Sequence, residues 1–252
     1  MPNFGNMRFE NRLVLSAMAG INNADFCSKQ KAGLLILGGF NADKGAMTAA
    51  KKLVARGRKE FIFEDPLEGI EREVKKIKNR RFAVNIRSST LEGYIEVARL
   101  VETYGGILEI NAHCRQPEFM ASHCGEYLLF NQEDLVKIVR EVAKIAIVSV
   151  KIRGGHKIDY KGLCSKLFQN GCKIVHVDAM IPKGGCDVSL IEKIANLGFT
   201  IGNNSFVDLS SGERIIKAGA KMVSAARAVL KDEQFFEKML KSKILSESVE
   251  LV

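Results

Sequence analysis

The stretch of this chain richest in reactive groups is Asn111-Ala112-His113-Cys114-Arg115-Gln116-Pro117-Glu118-Phe119-Met120-Ala121-Ser122-His123-Cys124-Gly125. It has no apolar periodicity and carries two His-Cys pairs. An ordinary thiol is mostly protonated at neutral pH, so a cysteine here could serve as a general acid. The four side chains His113, Cys114, His123 and Cys124 are also zinc-ligand types, although adjacent His-Cys pairs are unusual in a structural site. A third reading makes both thiols inert. Elsewhere, polar residues interrupt apolar runs: Asn22 and Asn23, Asn85, Asn111, Lys151 and Arg153, His176, Asn203 and Asn204, and Arg227. An unpaired polar group inside a protein costs kilocalories. Several such groups converging on one place imply a ligand with many hydrogen-bonding edges.

Two further segments suit a phosphate. Gly202-Asn203-Asn204-Ser205 and Ala225-Ala226-Arg227 place small residues beside polar ones. Small residues let backbone N–H groups approach an anion closely, and an arginine can clasp it. The alternative is that small residues simply suit a crowded strand end.

These residues need elements to hold them. Eight runs rich in Val, Ile and Leu read as strands: Arg12–Met18, Leu34–Phe40, Phe82–Arg87, Ile107–Ala112, Ile147–Arg153, Lys173–Ala179, Phe199–Asn204 and Met222–Arg227. Each reads as nearly continuously apolar, the habit of strands buried on both faces of a parallel sheet. Amphipathic stretches lie between them. In one, Leu91, Ile95, Ala98 and Val101 fall on one helical face. Asn131-Gln132-Glu133-Asp134 and Asp208 to Glu213 read as helix starts with a cap residue and early acids. Gly105-Gly106, Gly171, Gly198 and Gly219 read as helix ends. Eight strand–helix units in this length predict an α/β chain closing as a single (β/α)₈ TIM barrel over residues 1–252, with an open doubly wound sheet as the rival. The polar residues above then gather at the C-terminal strand ends, where barrel chemistry sits. Residues 41–81, between the second and third strands, form the one long excursion and hold more than one helix-length of sequence.

Composition narrows the class. The chain has 252 residues, 46 % of them hydrophobic, and a net charge of +9. That charge can steer RNA, nucleotides or other phosphates, or simply reflect a lysine-rich solvated surface. Its densest run, Lys75-Lys76-Ile77-Lys78-Asn79-Arg80-Arg81, reads as the exposed end of a helix. Six cysteines without a C-x-x-C pair read as reduced thiols. No run is long and apolar enough to span a membrane, and Met1-Pro2-Asn3-Phe4 does not open a signal peptide, so the expected location is cytoplasmic, without a membrane partner.

Read in order, the motifs resemble those of the tRNA-dihydrouridine synthases. Leu15-Ser16-Ala17-Met18-Ala19-Gly20-Ile21-Asn22-Asn23-Ala24-Asp25-Phe26 is similar to A-P-M-A-G-V-T-D-x-P-F. Asn111-x-x-Cys114 is similar to N-x-G-C-P, Val150-Lys151-Ile152-Arg153 to V-K-I-R, and Val175-His176 to the start of V-H-G-R. Ile201-Gly202-Asn203-Asn204 and Val223 to Arg227 resemble I-G-N-G-D and V-M-I-G-R. The resemblance covers nearly the whole barrel. Dihydroorotate dehydrogenases share the FMN barrel and an N-x-S-C-P-N loop.

The resemblance implies FMN as cofactor and an oxidoreductase acting on a pyrimidine or dihydropyrimidine C=C bond. By that analogy Ala17, Met18 and Asn85 line the flavin, and Lys151 sits at its pyrimidine edge. His176 contacts ring or phosphate, while Asn203, Asn204, Ala226 and Arg227 hold the phosphate. Asn111 and Cys114 face the substrate, Cys114 as the acid that protonates a pyrimidine carbon. The implied substrate is uridine in tRNA or a free small pyrimidine such as dihydroorotate. NAD(P)H or another donor would supply electrons, and assembly as a homo-oligomer stays open.

The chain departs from the pattern at Arg115 for proline, Val177-Asp178 for Gly-Arg, Asn204 for the second glycine of the phosphate motif, Ser205 for aspartate and Asn85 for glutamine. The synthases' helical tRNA-gripping domain is not expected here. A barrel that binds phosphate or flavin without catalysis is the reading from a different class.

Overall fold

The computed structural model describes residues 6–181 and 184–252. The Met1–Phe4 stretch read above for a leader therefore lies outside the described residues. Eight parallel strands close into a barrel: β1 Leu13–Leu15, β2 Leu34–Asn41, β3 Phe82–Arg87, β4 Ile107–Ala112, β5 Ile147–Arg153, β6 Cys172–Asp178, β7 Thr200–Asn203 and β8 Met222–Ala225. Each strand pairs with its sequence neighbours, and β8 pairs with β1 to complete the ring. The rival open sheet is thereby excluded. No helix among the described residues is long and apolar enough to cross a membrane.

The strands are not continuously apolar, as their sequences suggest at first reading. They alternate. Outward positions such as Val84, Ile86, Leu108, Ile110, Val148, Val150 and Ile152 join the large apolar layer under the surrounding helices. Inward positions change character with height. At the N-terminal end they are apolar: Val14, Leu34, Ile36, Ala83, Ile107, Ile147, Ile174, Ile201 and Met222 fill the barrel floor. Two residues further along six of the strands, β3 to β8, they are polar: Asn85, Glu109, Ser149, His176, Asn203 and Ser224. Two further again come Arg87, Asn111, Lys151 and Asp178. A period of two decides which face each residue meets, so the barrel is stacked in layers.

The floor is closed by an antiparallel ribbon. Met7–Phe9 pairs with Val249–Leu251 near the chain's end, and Met7, Phe9 and Leu251 pack into the floor cluster. A second small hairpin, Met180–Ile181 with Gly185–Cys186, follows β6.

Several local expectations shift. The helix Leu91–Thr103 buries Tyr94, Val97, Ala98 and Val101, with Leu91 half-buried against the same core, so Tyr94 and Val97 take the place expected for Ile95. Tyr94 draws the helix round because its hydroxyl accepts a hydrogen bond from the Ser88 amide inside the fold. Asn131 does not cap the following helix; its amide donates to Tyr127 O of the preceding turn. Asp208 does cap its helix, with Ser211 completing a reciprocal pair of bonds. Residues 41–81 hold two helices, Lys44–Ala55 and Pro66–Lys76. Lys75 and Lys76 lie in the last turn of the second, paired with Glu71 and Glu73.

Candidate functional site

At the C-terminal end of the barrel, above β1 to β5, lies a cavity of about 330 Å³. Ligand sites of this order are common. Three segments shape it. The first is the wall of Ala17, Ala19 and Gly39. A Cβ on Gly39 would come within 2.8 Å of Asn85 Oδ1, so that wall exists because the residue is glycine.

The second is the segment between the two helices of the excursion. Phe61 and Phe63 pack on Phe40, with ring centroids 4.7 and 5.7 Å away, and Asn41 Nδ2 donates to Phe61 O at 3.1 Å. This anchorage brings Arg58 and Glu60 over the cavity. Glu60 accepts from Arg87 through both oxygens, at 3.2 and 2.5 Å. Arg87 also donates to Gly39 O at 2.7 Å and lies over the Phe119 ring at 3.8 Å. The side chains of this ion pair are nearly water-free.

The third segment is the loop after β4. Asn111 Oδ1 accepts from the amides of His113 (3.1 Å) and Cys114 (2.9 Å), which turns the chain and sets both side chains at the cavity. Arg87 Nη1 lies 3.8 Å from Cys114 Sγ. Cys124 does not line the cavity: it is buried in the small apolar cluster on which Cys114 packs, donates to Ser122 O, and burial pushes its thiol up to about 12. His123 stacks on Tyr127. The two His-Cys pairs are thus split, and among the described residues no three His, Cys, Asp or Glu side chains are placed to hold a metal. The zinc alternative finds no support.

Below the cavity runs one continuous hydrogen-bond network. Asn111 Nδ2 donates to Asn85 Oδ1 (2.9 Å), and Asn85 Nδ2 donates to Glu109 Oε1 (2.7 Å). Glu109 Oε2 meets His176 Nδ1 at 2.8 Å and accepts from Ser149 at 3.2 Å. His176 Nε2 meets Ser224 Oγ at 2.7 Å, and Asn203 Nδ2 donates to Ser224 Oγ at 2.6 Å and to Ser16 Oγ at 3.3 Å. Lys151 Nζ donates to Ser16 Oγ at 2.5 Å.

This pattern assigns the tautomer. Burial lowers the His176 pKa, so the ring is neutral, with Nδ1–H toward Glu109 and Nε2 accepting from Ser224. Burial by itself would raise the Glu109 pKa; the His176 contact, the Lys151 charge and the Asn85 hydrogen bond more than reverse it, and the carboxylate is ionised. Burial lowers the Lys151 pKa, with Glu109 and Asp178 opposing that trend. Glu109, His176 and Ser224 have the spacing of a hydrolytic triad, but Ser224 is 1 % exposed and does not line the cavity. The network is an internal scaffold.

Of the residues selected from sequence, Ala17, Asn85, Asn111, Cys114 and Lys151 come together at the cavity. Met18 packs against the outer apolar layer. His176 is wholly buried, with both nitrogens engaged. Asn203 is spent on Ser224 and Ser16, and Asn204 on Asp178 at 2.9 Å. Ala226 precedes, and exposed Arg227 opens, the short helix after β8. Asn204 and Ser205 both have positive φ, 108° and 54°. Sequence reasoning passed over Glu109, Arg87, Glu60, Ser224 and Asp178. Stepping two residues along the strand from Asn111, Asn85 or His176 reaches Glu109, Arg87 and Asp178, so the alternation itself carried the signal.

No family model matches the chain. An uncharacterised protein of Methanocaldococcus jannaschii is 28 % identical over 239 residues, covering 89 % of this chain and 91 % of that one. Among solved structures, FabK from Thermotoga maritima aligns with a TM-score of 0.54 and a mutant of it with 0.53, each at 14 % identity over 88 % of this chain. This likeness is one of fold, an eight-stranded α/β barrel. The chain corresponds to 60 % and 63 % of the length of those two proteins.

Proposed function

We propose that this chain is an FMN-dependent oxidoreductase acting on the C=C bond of a pyrimidine, or on the matching bond of a dihydropyrimidine. The observation that carries the reading is the convergence of Lys151, Asn85, Asn111 and Cys114 on one cavity beside a wall of small residues. The ring end of a flavin fits these residues. The Ala17–Ala19–Gly39 wall leaves room for a planar system, and a Cβ at Gly39 would disturb Asn85. Lys151 would face the pyrimidine edge, where a cation favours the anionic reduced form, and Asn85 would hydrogen-bond the ring. The phosphate end would rest on the backbone of the Asn204–Ser205 and Ala226–Arg227 turns and on the Arg227 side chain, because Asn203 and Asn204 already have protein partners.

Bound FMN supplies hydride chemistry; the protein orients the reactants and moves protons. Asn111 fixes the loop that carries Cys114. Cys114 Sγ would donate its proton to a substrate carbon during reduction and take one back in the reverse direction. Uridine in tRNA would have to enter base-first, out of its stack. A free small molecule is the second reading, favoured by the modest cavity and by Arg58 and Arg115 on its lining, where an anionic substituent could be received.

Turnover of uracil-type and dihydropyrimidine compounds, followed by flavin absorbance, tests the proposal. Cys114→Ala is expected to keep the bound flavin spectrum and lose about 100-fold in kcat. Lys151→Met is expected to weaken flavin binding. Unchanged turnover in Cys114→Ala would remove the assigned acid.

A further inference from the structure

His113 lines the same cavity as Cys114 and Lys151, and its ring is tied down on one side only. Nε2 lies 2.6 Å from Asp178 Oδ2. No partner for Nδ1 occurs among the described residues. Asp178 is itself held from two more sides: Asn204 Nδ2 donates to its Oδ1 at 2.9 Å, and Arg153 Nη1 lies 3.4 Å from its Oδ2. Arg153 Nε also donates to His113 O at 3.2 Å, fixing the backbone that carries the ring.

Three departures from the quoted motifs meet here. His113 stands at the glycine of N-x-G-C-P, Asp178 at the arginine of V-H-G-R, and Asn204 at the second glycine of I-G-N-G-D. Each alone looks like decay of a pattern. Together they form one hydrogen-bonded cluster with a carboxylate orienting an imidazole at a cavity, an arrangement suited to proton transfer.

We propose that the His113–Asp178 dyad is a second proton-transfer site of this cavity, with His113 catalytic and Asp178 positioning it, serving a substrate with a weakly acidic N–H or O–H such as an imide. The step is a proton transfer alone. The substrate's N–H or O–H bond breaks, an N–H bond forms at His113 Nδ1, and the electron pair stays on the substrate as an anion. Asp178 then faces an imidazolium, and the anion faces Lys151 and Arg153. Burial and those two cations lower the His113 pKa to about 4, with the Asp178 hydrogen bond opposing them, so the free ring is neutral; a substrate anion forming beside Lys151 and Arg153 offsets their charge and lets the ring take the proton. The imide-bearing substrate class rests on the function proposed above; the dyad does not.

The test uses whole protein with ¹⁵N-labelled histidine, its four histidines assigned by single substitutions. His113 is expected to hold the Nε2–H form across neutral pH. Diethyl pyrocarbonate should acylate it at a rate flat from about pH 6 to pH 8, the range over which an ordinary histidine changes charge. Asp178→Asn should mix the tautomers. A protonated His113 at neutral pH, or a ring shielded from the reagent, would overturn the dyad whether or not FMN binds. In the flavin-loaded enzyme, His113→Gln should lower kcat about 100-fold, leave KM within about threefold, and abolish the acid limb of the rate profile. Asp178→Asn should fall between the two, and it keeps the test decisive if His113→Gln does not fold. An unchanged kcat and acid limb would show that the dyad is only structural.

Discussion

The two halves of the barrel top use similar residues to opposite ends. Above β6 to β8, His176, Ser224 and Asn203 bond to one another and to Glu109, and His176 and Ser224 are closed to solvent. Above β1 to β5, Lys151, His113, Cys114 and Arg115 face a cavity, and among the described residues several have donors or acceptors without a partner. Buried polar groups are tolerated when each has a partner. In the first half these three side chains satisfy that condition internally, so they support the site and leave any ligand contact there to the loop backbone and Arg227. The second leaves it partly unmet and so can bind.

The contrast can be broken most forcefully at Glu109, which joins the halves by accepting from Asn85 and Ser149 and meeting His176. Glu109→Ala should cost about 3–5 kcal/mol, because it leaves the buried Lys151 and His176 without their carboxylate. Urea unfolding measures this; a loss below about 1 kcal/mol would mean the sealed half is held by apolar packing alone.

A smaller loss is expected on the open side. Arg87→Met removes the partner of Glu60 and the donor to Gly39 O. Glu60 is nearly water-free in the pair but borders the cavity, so water can reach its carboxylate once the arginine is gone, and about 2 kcal/mol is expected, below the range for a charge left without water. If this variant proves as damaging as Glu109→Ala, the two halves do not differ in the way described.

The smallest effect is one of pH. The His113 pKa is lowered in the fold to about 4, chiefly by burial. The unfolded chain therefore binds the proton more readily, so this contribution to stability is full above about pH 6.5 and is lost as pH falls toward 4. Water reaches the ring at the cavity and screens it, so the size is on the order of 1 kcal/mol. Thermal unfolding of the wild type and His113→Gln between those pH values should show the wild type losing more stability on acidification. Parallel curves would place His113 in free solvent.

The barrel was legible because each of its eight units leaves an apolar strand and a helical stretch in the sequence. Five of the eight strands differ from expectation at one or both ends: β1, for example, spans only Leu13–Leu15, since Ser16 and beyond turn into the cavity loop. The site was half legible. Lysine and asparagine inside apolar strands stand out, so Lys151, Asn85 and Asn111 were found. Glu109 and Asp178 were missed because their partners come from other strands, and only the closed ring brings Glu109 to His176, 67 residues away. His176 and Asn204 stand out in the same way, but their roles came from motif position; which neighbour engages each side chain depends on the packing, here Ser224 and Asp178.

The most direct test of the flavin assignment is the visible absorption spectrum of the untagged purified protein, with the mass of whatever heat releases and a titration with added FMN. A flavin spectrum and the mass of FMN, or saturable uptake that Lys151→Met weakens, is the predicted result. A colourless protein that takes up no FMN would contradict it, and the cavity would then belong to a ligand-binding barrel without flavin chemistry.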